Sequence, residues 1–451
     1  MHPLKTYILK TKLILTVAIF TSLASFSQKK WTLKECVDQA LERNISVQQS
    51  KLNLKLAEKD VAIANGNFLP NLNGGSSGNF NSGLSPDRNG VLTNTNNFNG
   101  SFSLRSSGTI FNGYRNTNTY KQAQLGVLSS EFNLKKIEND ISLFVVNGYL
   151  NVLFAKENLN VANVQYEISA KQIEAVKSRF EAGVVAKGEV LNIQSTAAAN
   201  LQSVIAQENV LNLALLNLAQ TIQVPIDNFD VAPIELGTPS ENLLYANSDI
   251  VFEKSLLNRP EIESAKLAIE SADLSIEIAK SAYKPTLTYS LSAGTSYYHQ
   301  FNNLLPTRFN DDFISQTADR FQYGIGFNVS VPIFNRFQTK NNVAKSKINK
   351  EISITRLENE KIQLKQTIEQ AFLDVKAAAK SYQAAKISLA AQEEAFKNSQ
   401  QRYNFGDMTL FDFDQVRTRL VNAEGTMIRS KYDYVFKTKI LQFYSDELVL
   451  E

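Results

Sequence analysis

The stretch ISLFVVNGYLNVLFAKENLNVANVQY, residues 141–166, decides how the rest of the chain is read. Its apolar and small residues Ile141, Val145, Gly148, Val152, Ala155, Leu159, Ala162 and Tyr166 fall alternately four and three apart, the heptad spacing of a coiled-coil helix. Residues 364–389, LKQTIEQAFLDVKAAAKSYQAAKISL, repeat it, with Leu364, Ile368, Ala371, Val375, Ala378, Tyr382, Ala385 and Leu389 each 223 positions further on. Large residues alternate with small ones along both seams, which suits close packing against more than one neighbour. No proline occurs between Pro86 and Pro225 or after Pro332, so nothing in either copy must break a helix. A helix from Asn116 to Phe180, roughly 65 residues at ~1.5 Å each, would be on the order of 100 Å long. That exceeds any ordinary globular core.

Working outward, both helices end on the same kind of turn. Ser178-Arg-Phe-Glu-Ala-Gly183 aligns with Gln401-Arg-Tyr-Asn-Phe-Gly406, and the glycine supplies the left-handed residue that closes a helix before a second one returns, Glu189 to Ile222 and Asp412 to Leu448. Upstream, a helical pattern from Leu33 to Asn67 recurs 215 residues later from Leu256 to Tyr283. The chain therefore reads as a two-fold internal repeat, residues 28–223 and 249–451, with tips near 183 and 406, joined by a connector over 224–248 that carries Pro225, Pro233 and Pro239.

After the prolines of Phe68-Leu-Pro-Asn-Leu72 and Lys284-Pro-Thr-Leu287 the period changes to two, predicting β-hairpins over about 70–112 and 285–334. The clearest run is Phe321, Tyr323, Ile325, Phe327, Val329, Val331 and Ile333, with Gln322, Gly324, Gly326, Asn328 and Ser330 between them. The intervening segments 85–97 and 301–320 read as polar loops, the second longer; the change of offset from 215 to 223 puts eight extra residues in the second hairpin unit, for which a tip loop is the natural place. In an exported chain with no globular sequence left to cover them, such strands are expected to cross a membrane as part of a β-barrel, with Tyr289, Leu291, Tyr323, Ile325, Phe327 and Val329 facing lipid. Four strands cannot close a barrel. Two chains would supply eight strands and a filled interior, three chains twelve strands and a lumen.

Export itself is read from residues 1–27: Lys5, Lys10 and Lys12, no acidic residue, and an apolar run from Leu13 to Phe20 make a secretory signal peptide. Its removal takes three of the 47 Lys and Arg and none of the 44 Asp and Glu, leaving a neutral chain that offers nucleic acid no basic face. Cys36 is the single cysteine, and His299, Met408 and Met427 are the only other soft ligands that remain, so a metal centre is not expected and no cofactor is implied.

An exported chain whose halves each read helix, strand hairpin, long helix, glycine-marked tip and returning helix resembles the TolC-like outer-membrane efflux protein family. The local pieces carrying the resemblance are Asn67-Phe-Leu-Pro-Asn-Leu72, the Ile-Phe-Asn at 110–112 and 333–335, and Arg179-Phe-x-x-Gly183 with Arg402-Tyr-x-x-Gly406, each followed six residues later by an acid. The resemblance implies an α+β membrane protein: a homotrimer whose twelve-stranded transmembrane β-barrel, four strands per chain, continues into a long α-helical coiled-coil barrel in the periplasm. It implies no catalytic site. It further implies an exit duct for a tripartite efflux pump or type I secretion system, partnered by a periplasmic adaptor (membrane fusion protein) and an inner-membrane transporter, with the adaptor docking at the tips, Gly183 and Gly406. In the family, acids near the tips ring the periplasmic entrance, here Glu189 and Asp412. Gln415 stands where a second acid is common, with Asp414 beside it, and Met408 stands where an arginine is common.

Glu189 and Asp412 also have a plainer reading, since an acid in the first turn of a returning helix is favoured by the helix dipole. Three other functions compete with this reading. A periplasmic adaptor would show one helical hairpin flanked by a lipoyl-like β module, which whole-length duplication opposes, and a structural coiled coil of the envelope would be separated from a barrel by heat-modifiable extraction from outer-membrane fractions. No nucleophile-elbow, phosphate-loop or metal-ligand spacing points to an enzyme.

Overall fold

A computed structural model describes residues 30–86, 90–234, 243–301 and 312–445. The expected signal peptide, part of the connector (235–242) and the last six residues lie outside that range. In chain order the elements are β1 (Lys30–Trp31), α1 (Leu33–Arg43), α2 (Ile45–Gly66), β2 (Asn71–Pro86), β3 (Leu92–Phe111), α3 (Arg115–Glu181), α4 (Lys187–Thr221), β4 (Asp230–Val231), α5 (Ser248–Asn258), α6 (Pro260–Lys280), β5 (Thr286–Gln300), α7 (Phe313–Asp319), β6 (Gln322–Ser330), α8 (Gln338–Asn404) and α9 (Leu410–Tyr444). Both ends of α8 lie 223 residues beyond those of α3, the same holds for α9 and α4, and both ends of α5 lie 215 beyond those of α1. None of the described helices is long and apolar enough to cross a membrane.

The chain divides into two compact units, each drawing on both sequence halves. The first gathers the described residues up to Ser50, Leu134–Arg259 and those from Lys361 onward. Here the two heptad seams are put to use: Val145, Val152, Ala155 and Ala162 on α3, and Leu364, Ile368, Val375, Ala378, Tyr382 and Ala385 on α8, are all buried. The small residues admit neighbours. At Gly148 a Cβ would stand 3.3 Å from Leu218 of α4, and at Gly425 of α9 it would stand 2.6 Å from Val161 of α3, so the helices touch where the side chain is missing. Cys36, Val37 and Ala40 of α1 join Val145, Tyr149, Val152, Leu218, Ile222 and Val231 in one core. Tyr149 closes that core by directing its hydroxyl between the carbonyls of Trp31 (3.0 Å) and Ala232 (2.6 Å), which flank the short parallel pair β1 and β4. Burial pushes its phenol far above the usual range, so it remains a donor. Lys156 binds Asp230 (2.5 Å) and the Val231 carbonyl (2.8 Å) beside it.

The second unit, Lys51–Asn133 and Pro260–Glu360, is built on an antiparallel sheet in the order β2-β3-β5-β6. Opposed residues of an antiparallel pair share a face, and the register sorts the side chains cleanly. Leu287, Tyr289, Leu291 and Ala293 of β5 oppose Val329, Phe327, Ile325 and Tyr323 of β6. Ser106, Leu104, Phe102 and Phe98 of β3 continue the same face toward Leu72, Gly74, Ser76 and Phe80 of β2. The other face carries Asn71, Asn73, Ser77, Asn79 and Asn81 on β2, with Asn97, Asn99, Ser101, Ser103 and Ser107 on β3, and then Thr288, Ser290, Ser292 and Ser296 on β5 and Gln322, Gly324, Gly326 and Asn328 on β6. All of β6 is exposed. Among the described residues, both β2 and β6 have one edge with no strand beside it.

The strand-to-helix corners repeat in detail. Gly113 and Tyr114 precede α3 with φ of 70° and 69°, and Arg336 and Phe337 precede α8 with φ of 53° and 60°. The asparagine of each Ile-Phe-Asn ties the following first turn, Asn112 to Asn116 (2.7 Å) and Asn335 to Thr339.

Three expectations need correction. The helical pattern over 33–67 is two helices, broken at Asn44, whose side chain donates to the Thr221 carbonyl (3.2 Å) and accepts from the Ser46 amide (2.9 Å). Strand β6 stops at Ser330 rather than running on to Ile333, because Pro332 offers no N–H to a ladder. The segment before β6 is not wholly irregular. Helix α7 covers the edge of β5 where β6 has ended: Gln316 accepts from the Tyr298 amide (3.0 Å), the Thr317 carbonyl accepts from the Thr295 hydroxyl (2.6 Å), and Phe313 packs on Phe102 and Tyr297.

Candidate functional site at the helical turns

Gly183 and Gly406 sit at the two turns with φ of 74° and 80°. In each turn the glycine amide donates three residues back, to Phe180 (2.9 Å) or Tyr403 (3.0 Å). The next amide donates five back, to Arg179 or Arg402 (2.9 Å each). This paired pattern is the Schellman C-cap. Each cap's arginine lies in the last helical turn, where its charge meets the carbonyl end of the dipole. Open space surrounds both glycines, so it is the backbone angle rather than crowding that selects them.

The two turns differ in how they are held. After Gly406, Phe413 stacks on Tyr403 (4.9 Å between ring centroids) and on Phe396 (5.4 Å), with the Arg417 guanidinium 4.8 Å from the Phe413 ring centroid. The corresponding positions around Gly183 are Val190, Phe180 and Ile173, of which only Phe180 is aromatic, so no such stack forms. The 7- and 10-residue spacing of Phe396, Tyr403 and Phe413 is the sequence signal of this stack. Phe405, 83% exposed, and Val184 leave apolar surface at the turns themselves.

Glu189 and Asp412 both occupy the third position of their returning helices and are exposed. Asp412 exchanges hydrogen bonds with the N-cap: its amide donates to the Thr409 hydroxyl (3.1 Å), which donates to its carboxylate (2.6 Å). Ala186 caps α4 without a side-chain bond, so Glu189 has no such exchange. Both acids line one groove of about 710 Å3, together with Arg179, Gln172, Asn192, Asp414, Gln415 and Arg419.

Asp414 is no substitute for the acid missing at Gln415, because it is buried at 6% exposure while Gln415 is exposed. Neither of its oxygens has an aligned hydrogen bond, and Arg417 Nη1 stands 3.3 Å away. Burial raises its carboxyl pKa, against the opposing pull of Arg417 and Gln172.

Residues 36–222 and 251–441 match the family model described as outer membrane efflux protein. The chain belongs to that family. It is 21% identical over 427 residues to the outer membrane efflux protein BepC of Brucella suis biovar 1, covering 94% of this chain and 86% of that protein. It is 23% identical over 433 residues to the outer membrane protein TolC of Escherichia coli strain K12, covering 94% and 84%. A proteases secretion protein, PrtF of Dickeya chrysanthemi, is 22% identical over 432 residues, 94% and 89% of the two chains. The fold is that of the Campylobacter jejuni CmeC outer membrane channel, with a TM-score of 0.77 at 20% identity, covering 92% of this chain and 86% of that one. As an outer membrane efflux protein the chain resides in the bacterial outer membrane and serves as an exit channel for efflux or secretion.

The buried acid of this efflux protein yields a pH test. A carboxyl whose folded pKa is raised favours its protonated form, so its contribution to stability is full at low pH and is lost as pH rises through the folded value. Asp414→Asn should therefore raise the thermal midpoint at pH 7, and the gain should shrink as pH falls towards ~4, the ordinary carboxylate range. Thermal melts of both proteins across that interval check it; an equal shift at every pH would assign the effect to packing.

Proposed function

We propose that this chain works as a homotrimer, twelve strands forming the outer-membrane barrel and the paired helical hairpins forming a periplasmic barrel, as the exit duct of a tripartite efflux pump or type I secretion system. Residues 28–223 and 249–451 act in it as two copies of one design, joined by 224–248. The observation that carries the reading is the sheet of four strands with one apolar face, one amide and hydroxyl face, and two edges lacking a neighbouring strand. Hydrocarbon offers nothing to an unpaired strand edge, so other copies must close the barrel. Eight strands leave an interior that side chains fill, whereas twelve leave a lumen for cargo. On this reading Tyr289, Leu291, Tyr323, Ile325, Phe327 and Val329 face lipid.

Ile325 and Gly326 are adjacent, and the register puts the two positions on opposite faces. Ile325→Arg should cost ~2 to 4 kcal/mol if near the bilayer midplane and lower the yield of heat-modifiable trimer in outer-membrane fractions. Gly326→Arg should assemble, since its new side chain enters the polar face. Equal tolerance at both positions would refute the placement in lipid.

The turns around Gly183 and Gly406 are the proposed docking points for a periplasmic adaptor tied to an inner-membrane transporter, supported by the exposed apolar residues Phe405 and Val184. A photo-crosslinking residue replacing Phe405 should capture the adaptor in cells carrying the complete pump. Absence of any envelope adduct there would move the docking site elsewhere.

Glu189 and Asp412 are the proposed entrance ring, six carboxylates in the trimer. The bond from Thr409 to Asp412 makes helix capping the rival reading at that position. A charged ring predicts cation preference and block by multivalent cations from the turn side, both lost when Glu189→Gln and Asp412→Gln are combined. Unchanged selectivity in planar bilayers with lowered thermal stability would leave capping as their role.

A further inference from the structure

Across β2, β3, β5 and β6 a single residue, Arg105, is Lys, Arg, Asp or Glu. The register places it on the amide and hydroxyl face, opposite Asn73 of β2 and Ser292 of β5, with Ser292 in turn opposite Gly324 of β6. Its row is thus Asn, Arg, Ser, Gly, and the small residues on either side leave a long side chain free to extend from the wall. Arg105 is exposed and takes part in no ion pair among the described residues. It also stands near one end of the sheet, six residues before β3 closes at Phe111 and level with a residue only two places into β2.

A guanidinium is always charged, and its planar fork matches two oxygens of a carboxylate or phosphate. On a wall whose other groups are neutral, and with no acid on the strands to neutralise it, its field is directed into the space the face encloses. A second arginine adds to this field from the loop end: Arg320, just after α7, lines a cavity of about 660 Å3 on the same face with Ser77, Asn99, Ser101 and Tyr298.

We propose that Arg105 from three copies forms an anion-binding ring at the helix-side end of the barrel lumen, recognising phosphate- or carboxylate-bearing anions. This rests on the trimeric-channel reading above. It gives the duct two opposed charge filters, carboxylates at the helical turns and guanidiniums in the barrel, and it makes Arg105 the residue that sets which charge the barrel retains. Lipid phosphate is not the target, because the residue lies on the face opposite Ile325 and Phe327.

The test uses full-length trimers in planar bilayers, with tripolyphosphate added from the loop side so that it reaches the barrel without passing the turns. The native channel should be blocked, and block should weaken with rising salt. Arg105→Gln should raise the half-blocking concentration at least tenfold with trimer yield unchanged. Arg105→Lys, which keeps the charge but loses the fork, should fall between the two. Combining Glu189→Gln with Asp412→Gln should leave loop-side block as it was. A native channel that tripolyphosphate does not block, or equal block in Arg105→Gln, overturns the anion ring and leaves the channel reading intact. A chain that forms trimers conducting no ions overturns the channel reading, and the ring with it.

Discussion

The unmet hydrogen-bonding capacity of two strand edges is the constraint from which the rest follows. Each backbone N–H and C=O along the outer side of β2 and β6 must find a partner, and in hydrocarbon each failure costs several kcal/mol. A different edge is covered within the chain itself, where α7 lies along the portion of β5 that β6 does not reach. Among the described residues no further strand lies beside β2 or β6. On the proposed trimeric reading this sheet is incomplete in one chain, and identical copies would complete it, since one edge can be shaped once to fit the other.

Duplication supplies the helices that such copies need, yet the two halves have not stayed equivalent. The turns share their backbone geometry to the level of individual hydrogen bonds, while the side chains around them differ. The second turn is clamped by Phe396, Tyr403 and Phe413 and capped by Thr409; the first has neither the ring stack nor a capping side chain. The first turn should accordingly open at lower free energy, as regions with fewer buried contacts do. The two turns of one chain are thus unequally held.

Much of this architecture was legible in residues alone because the helices are long and their seams strict. A heptad pattern sustained over many turns leaves no alternative period, and the glycine turns fix where it must stop. What escaped the reading depended on contacts that no local pattern records. Leu41 and Val47 run smoothly past Asn44, and only the Thr221 carbonyl explains why the helix breaks there. Helix α7 has seven residues and owes its position to the edge of β5 and to Phe102 and Tyr297. The alternation through Val331 and Ile333 outlasts the ladder because amphipathicity needs no partner strand, whereas pairing does. Asp414 looked like one more charge near the entrance; the helical register sends it inward instead. Arg105 was visible as the sole charge in a neutral stretch, but which face it served required the register.

The equal lengths of α3 and α8, 67 residues each, and of α4 and α9, 35 each, bear on how such a chain can change over evolutionary time. Removing one residue from a helix turns everything beyond it by ~100°, which would carry a seam off its neighbours. Insertions and deletions in the helices are then tolerated only as whole heptads, in steps of ~10.5 Å, and only when both halves change together. The strand-hairpin units face no such rule, and it is there that the two halves already differ by eight residues. A lineage adapting this protein to a wider or narrower envelope would have to change length in matched, discrete increments.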